Sequence, residues 1–295
     1  MDVEMKIQEP INKVTRKQKL KNYSKHPGSF LLALFTKLAI LLTVLALGFI
    51  LIYILVKGIP NLSTDLFALK YTTENVSMLP AIINTLIITL LSLCIAGPIG
   101  IFSAIYLVEY AKKGNKLVEV VRVTAETLTG IPSIVYGLFG MLFFVTTLKC
   151  GYSLLAGALT LSIMVLPVIM RTTEEALLAV PNSFREGSFG LGAGKLRTIF
   201  KIVLPSAVPG ILAGVILAIG RMVGETAALI YTAGTVAEIP SSIMSSGRTL
   251  AIHMYSLSKE GLYTDQAYAT AVVLLIVVVL INMLSNFVAK KFTKK

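Results

Sequence analysis

The sequence predicts an all-α membrane protein with six transmembrane helices and both termini in the cytoplasm. Three observations carry that expectation. Hydrophobic residues make up 55% of the 295 residues and charged residues only 14%, which leaves too little polar surface to cover a soluble domain. Apolar stretches of about 20 residues, enough to cross about 30 Å of hydrocarbon, recur along the chain. Lys and Arg fall unevenly among the segments that join them. A net charge of +12 would point to nucleic acid in a soluble chain; here the basic residues flank apolar spans and set orientation instead.

Residues 1–28 read as a cytoplasmic basic arm, with Lys6, Lys13, Arg16, Lys17, Lys19, Lys21 and Lys25 and no hydrophobic period. The arm reads as a topology signal, with lipid-headgroup binding as the alternative. Residues 29–295 read as one six-span transmembrane domain. The apolar span behind the arm is longer than a signal-peptide core and lacks a small-x-small site, so no cleavable signal is expected. The spans are placed near 30–56, 80–108, 127–148, 153–171, 206–232 and 267–289. The second contains Gly97-Pro98 and Gly100, which predicts a kink or two packed segments. The third contains Gly130-Ile131-Pro132-Ser133, where freed backbone groups need partners within the protein, and the fourth holds Pro167. Gly157, Gly210, Gly214 and Gly220 offer close helix approach. Cys94 and Cys150 fit no metal spacing or disulfide framework, and Cys94 reads as a small buried hydrophobe.

Charge fixes the orientation. Of the 27 Lys and Arg residues, 20 lie in the N-terminal arm, the 109–126 and 171–202 loops and the C-terminal tail. Only five lie in the 57–79, 149–152 and 233–266 loops, which places those loops outside. The 233–266 loop carries apolar residues from Leu250 to Leu257 that predict a short helix on the outer face, with His253 solvated. His26 and His253 then face opposite sides, so no histidine pair is available for a metal.

The 172–202 segment is where chemistry enters. Pro181 suits the first turn of a helix, Phe184 offers an apolar anchor, and Arg185 and Glu186 can orient it. Gly190, Gly192 and Gly194 permit a sharp turn after it, before Leu204 and Pro205 open the next span. Gly192-Ala193-Gly194-Lys195-Leu196 mimics a phosphate-binding loop, but Phe189 stands where the first glycine belongs and Leu196 where Ser or Thr belongs. The chain is therefore expected to bind no ATP, and no catalytic or metal residues are identified.

Glu186-Gly187-Ser188, Gly192 and Ile202-Val203-Leu204-Pro205 resemble the E-A-A, G, I-x-L-P signature of ABC importer permeases at its full spacing, with Gly187 and Ser188 in place of two alanines. The resemblance implies a type I ABC importer permease fold and a coupling helix seated on a nucleotide-binding subunit. Gly130-Ile131-Pro132-Ser133-Ile134-Val135-Tyr136-Gly137 and Ala218-Ile219-Gly220-Arg221-Met222-Val223-Gly224-Glu225-Thr226-Ala227-Ala228 resemble phosphate importer permeases, closer to the PstA type than to the PstC type. The resemblance implies import of inorganic phosphate across a bacterial or archaeal inner membrane. The implied partners are a PstC-like permease, two PstB-like ATPase copies that bind the ATP and Mg, a PstS-like phosphate-binding protein and membrane lipid, with no nucleic acid.

Arg221 and Glu225 are charged residues inside an apolar span, which marks them as functional candidates. Four apart, they are expected to share one helix face and to pair. At about 1.5 Å per residue from Pro205, Arg221 is placed about 24 Å along the helix, past the midplane toward the outside. Its guanidinium would offer paired donors to an oxyanion, with Thr226 adding a hydroxyl; a purely structural ion pair is the alternative. Arg171 with Glu174 and Glu175 read as interfacial anchors at a cytoplasmic helix end. Arginine chemistry leaves sulfate, molybdate and phosphonate open as substrates. A secondary anion transporter would need no coupling loop and should show inverted repeats, which are not apparent.

Overall fold

The computed structural model describes residues 27–112 and 114–293, with the side chains of 288–293 outside the description. Most of the basic arm, His26 and the C-terminal lysines lie outside the described residues or side chains. The chain divides into two compact units, one ending at Ile54 and the other starting at Leu55. The first unit is carried by helix α1, Pro27–Gly58, which is apolar on all sides and so suited to lipid. Its hydroxyls find partners one turn back, Thr36 on Leu32 O and Thr43 on Ala39 O, which spares unmet donors in hydrocarbon.

The second unit holds helices α2 (Leu79–Ile105), α3 (Lys116–Thr129), α4 (Ser133–Gly140), α5 (Leu154–Leu178), α6 (Asn182–Gly190), α7 (Lys195–Thr198), α8 (Leu204–Val223), α9 (Ala227–Ile230), α10 (Leu250–Glu260) and α11 (Thr264–Thr293). There is no strand among the described residues. Five helices are long and apolar enough to cross a membrane, and the bent pair Lys116–Thr129 and Ser133–Thr147 makes a sixth if counted as one span. The protein is a multi-pass membrane protein.

Helix α5 is the centre of the second unit, packing on α2, α3, α4, α8 and α9. Its most apolar stretch is 67% buried, against 39, 33 and 28% in the spans containing α2, α8 and α11. Close packing of α5 against α8 rests on glycine. A side chain at Gly210 would strike Ala176 Cβ at 2.6 Å, and one at Gly214 would strike Thr172 Cβ at 2.6 Å. The two helices therefore run antiparallel, and continuing the register sets Arg221 opposite Val165, near the middle of α5. Gly157 meets Ala233, whereas Gly220 has nothing within 4 Å and contributes no such contact.

Several local expectations change. Helix α2 runs unbroken through Pro98, and a π-turn from Tyr106 to Tyr110 ends it. Cys94 is exposed on that helix, not buried. The loop expected at 109–126 is largely the helix α3, capped by Asn115 Oδ1 accepting from Leu117 N. Pro132 lacks an N–H and disfavours helix at Ile131, so α3 and α4 meet at a bend of 104° inside the predicted span 127–148, which takes in the end of α3 and Ser133–Thr147. The predicted span 206–232 stops at Val223 with Gly224 as its cap. Only 179–194 of the predicted 172–202 loop leaves the spans, because α5 continues to Leu178 and Lys195 already starts the run into α8.

The 233–249 segment is stitched to the start of α5 by backbone bonds, Leu154 N to Ser245 O and Leu155 N to Ile243 O. It leads into α10, the short helix expected near Leu250. This helix packs into the unit against α2 and α11, so that Leu250, Ala251, Ile252 and His253 are all buried. His253 is thus the opposite of solvated. Burial and the nearby Arg248 charge push its pKa down to about 3, so the imidazole is neutral.

Gly214→Leu is expected to force α5 from α8 and lower the thermal midpoint of the purified protein by several degrees, whereas Gly220→Leu leaves it within a degree or two. A second expectation comes from His253. Between pH 6.5 and about 3 the unfolded chain takes up a proton that the native chain refuses, so stability falls as pH drops through that window. Thermal midpoints measured from pH 7 to 4 should fall less steeply in His253→Phe than in the parent.

Candidate functional site

Two features stand out in the second unit, a braced helix at one end of the bundle and a charged cavity between α5 and α8. The braced helix is α6. Pro181 is its N-cap, with φ −55°, already close to the helical value. Gly192 takes φ +81° in the turn after it, a left-handed conformation that glycine adopts without a Cβ penalty. Ser188 is buried and its hydroxyl lies 2.8 Å from Thr198 Oγ1, tying α6 to α7. Gly187 faces open space, as does Glu186, and Phe184, Phe189 and Leu191 are exposed. The outward side of α6 thus sets Phe184 and Phe189 beside polar Asn182 and Ser183 and one carboxylate. Leu204 packs among the residues joining α2, α5 and α8, and Pro205 sits in the first turn of α8, where its missing N–H costs little.

Arg185 holds α6 to the spans. Its Nε and Nη2 both donate to Glu109 Oε1, at 3.1 and 2.7 Å. Nη1 donates to Val180 O at 2.8 Å and Nη2 to Leu177 O at 3.0 Å, so one guanidinium caps the end of α5 and ties it to the end of α2. The side chains are only 15 and 9% exposed. Sequence reasoning singled out Arg185 but not Glu109, which stands 76 residues away with no local pattern to announce it.

The charged cavity, about 390 Å³, is lined by Thr129, Val168, Arg171, Thr172, Glu175, Leu217 and Arg221. A neighbouring cavity of about 340 Å³ shares Arg171 and Glu175 and adds Arg122, Glu126 and Glu174. Arg171 donates to Glu126 at 3.1 Å and to Glu175 at 3.2 Å, and Arg122 lies 2.5 Å from Glu174. Arg171, Glu174 and Glu175, expected as interfacial anchors, bind α5 to Arg122 and Glu126 of α3 around the cavities. Pairs as open as Arg171 with Glu126 and Glu175 are individually weak and easily exchanged.

The predicted pair of Arg221 and Glu225 does not form. Helix α8 ends at Val223, so the two residues do not share a helix face, and Glu225 Oε1 instead accepts from Ala228 N to cap α9. Thr226 lies in the break and its hydroxyl reaches only Gly224 O at 3.5 Å. Neither lines the cavity with Arg221. The cavity also lies on the α6 side of Arg221, not beyond it, because helical side chains lean toward the N-terminus of their own helix and α8 begins at that end. Among the described residues, Arg221 has no carboxylate partner. No group of His, Cys, Asp and Glu suited to a metal ion is present among the described residues.

A family model described as binding-protein-dependent transport system inner membrane component matches residues 96–295. The probable ABC transporter permease protein YqgI of Bacillus subtilis is 32% identical over 261 residues, covering 82% of this chain and 88% of the relative. The phosphate transport system permease protein PstA of Pasteurella multocida is 36% identical over 262 residues, covering 84 and 90%. A solved bacterial ABC transporter involved in the import of the acidic polysaccharide alginate has a chain that superposes with a TM-score of 0.68 at 17% identity, covering 92 and 99%. That last likeness speaks to fold alone.

The Arg185–Glu109 pair yields a direct test. Arg185→Met leaves Glu109 buried with no counter-charge, which costs about 3–5 kcal/mol, and Glu109→Met does the same to Arg185. The double variant should recover at least half of the lost thermal midpoint, measured on the purified protein; simple addition of the two losses would show that the residues act independently.

Proposed function

The chain belongs to the family of binding-protein-dependent transport system inner membrane components, and we propose that it is the membrane-spanning permease subunit of an ATP-driven importer of inorganic phosphate. The likeness to PstA over most of both chains supports phosphate as the cargo. The observation that carries the reading physically is Arg221, a guanidinium without a carboxylate partner in a cavity between membrane-spanning helices. An unpaired cation is costly there unless an anion visits it, and a guanidinium presents paired donors that match two oxygens of a phosphate.

Arg171 is the second cation of the path. Its exposed carboxylate partners, Glu126 and Glu175, can yield to phosphate and then reclaim the arginine, which favours release instead of trapping. Glu225 has a positioning role, since it caps α9 and so fixes the break after Arg221. Thr226 belongs to that break.

Drive comes from outside the chain. The exposed side of α6, with Phe184, Glu186, Phe189 and Leu191, is the seat for an ATPase subunit that binds the ATP and Mg. A two-copy ATPase, a PstC-like second permease completing the path and an extracytoplasmic phosphate-binding protein make up the assembly, set in the cytoplasmic membrane with α6 inward. Movement of α6 passes through Arg185 to the end of α5, and Arg171 and Glu175 ride on that same helix. The chain performs no covalent chemistry.

Labelled phosphate uptake into cells lacking this chain tests the proposal. Restoring the parent chain should restore uptake that excess sulfate and molybdate do not suppress. Arg221→Ala should reduce it at least tenfold while the ATPase still co-purifies, and Arg221→Lys should recover only part. Full uptake with Arg221→Ala would remove the arginine from the path, and uptake equally suppressed by sulfate would remove phosphate as the particular cargo.

A further inference from the structure

Among the described residues, one carboxylate lines the cavity that holds Arg221, and it is Glu175. The neighbouring cavity shares that carboxylate, whereas Glu126 and Glu174 line only the neighbour. Arg171 Nε donates to Glu175 Oε1 at 3.2 Å, one turn along α5. The two side chains are 54 and 63% exposed, so an ion in the cavity can reach both. Helical side chains lean toward the N-terminus of their own helix, and α5 and α8 are antiparallel, so Glu175 and Arg221 lean toward one another. The cavity, about 390 Å³ against the about 30 Å³ that one water occupies in the liquid, has room for a tetrahedral oxyanion.

The hydroxyls in the same lining are already engaged. Thr129 Oγ1 donates to Ala125 O at 2.9 Å and Thr172 Oγ1 to Val168 O at 2.8 Å, so each has committed its only proton within its own helix. Donors for an oxyanion therefore come from the guanidiniums of Arg171 and Arg221. Donors alone treat tetrahedral oxyanions of equal charge alike. Sulfate and hydrogen phosphate share shape and charge and differ in one proton: at neutral pH phosphate carries a P–OH, and sulfate carries none.

We infer that, on the reading of this cavity as the phosphate path, Glu175 is its specificity-determining residue and accepts the P–OH hydrogen bond of the ion held by Arg171 and Arg221. The exchange leaves no group without a partner. An Arg171 N–H passes from Glu175 to a phosphate oxygen, and the phosphate hydroxyl takes its place by donating to the carboxylate. Sulfate takes the same N–H but returns no proton, and it leaves a carboxylate unpaired beside a dianion. A site built around a substrate hydroxyl rejects the analogue that lacks one. Glu175 thus steadies Arg171 between one ion and the next, and discriminates among the ions that enter.

The test is anion binding by the detergent-purified complex, prepared without the soluble phosphate-binding protein so that selection upstream plays no part. The ATPase sites are saturated with ADP and Mg, and phosphate, arsenate, sulfate and selenate are each titrated at neutral pH and constant ionic strength. Affinities are read from the rise in thermal midpoint. In the parent complex phosphate and arsenate, which carry a hydroxyl, should bind about tenfold or more tighter than sulfate and selenate, which do not. Glu175→Ala should bring the ratio of phosphate to sulfate affinity within about threefold, mainly by strengthening sulfate. Glu175→Gln, which keeps an acceptor and loses the charge, should fall between the two. A carboxylate that only steadied Arg171 would change both affinities together and leave their ratio as in the parent. An unchanged ratio in Glu175→Ala, with phosphate binding still lost in Arg221→Ala, would overturn the role of Glu175 alone. Phosphate affinity in Arg221→Ala within about twofold of the parent would overturn the path, and this role with it. The parent ranking needs no substitution and does not depend on how a variant folds; arsenate grouping with sulfate would overturn the role of the hydroxyl.

Discussion

Arg185 is the point at which three parts of the molecule are made one. Its guanidinium neutralises the buried carboxylate of Glu109 at the end of α2 and satisfies two carbonyls, Leu177 O and Val180 O, at the end of α5. Side chains 15 and 9% exposed cannot part cheaply, since each would keep its charge and lose its partner. Everything α6 does is therefore done to α2 and α5 together. Helix α6 has nine residues, too few to hold its own geometry in water, and the arginine gives it the tertiary support that its length does not.

Seen from that anchor, the division of labour along α5 is simple. The half away from α6 packs tightly, with the Ser162 hydroxyl on Ser92 O and Gly157 against Ala233. Its α6 half carries the charges, Arg171, Glu174 and Glu175, and receives the glycine face of α8 at Thr172 and Ala176. A rigid helix moves as one body, so a displacement of the charged half is transmitted to the packed half.

How much of this was legible depended on range. Hydropathy and charge asymmetry located the spans and the projecting segment because both are properties of contiguous residues. The departure of Ser188 from alanine was visible, but its bond to Thr198 is a contact across a turn. The end of α8 was missed because Gly224 lies inside an apolar run, and window hydropathy does not register a single helix-stopping glycine or a carboxylate that caps the next helix. Glu109 and His253 were missed for a different reason. Each is defined by a partner or a wall from a distant part of the chain, Glu109 by Arg185 and His253 by Tyr71 and Arg248.

The bend after Thr129 has a consequence for the surrounding bilayer. With α3 turned by 104°, the eight residues of α4 and the seven of the π-turn after it carry only part of the third crossing. At about 1.5 Å per residue that is about 22 Å, short of the about 30 Å of an ordinary hydrocarbon core. The remaining depth falls to α3, which lies at 104° to α4, so the two cannot both run along the membrane normal. The third crossing therefore meets a bilayer of given thickness by the angle of that bend, a freedom that a straight helix lacks.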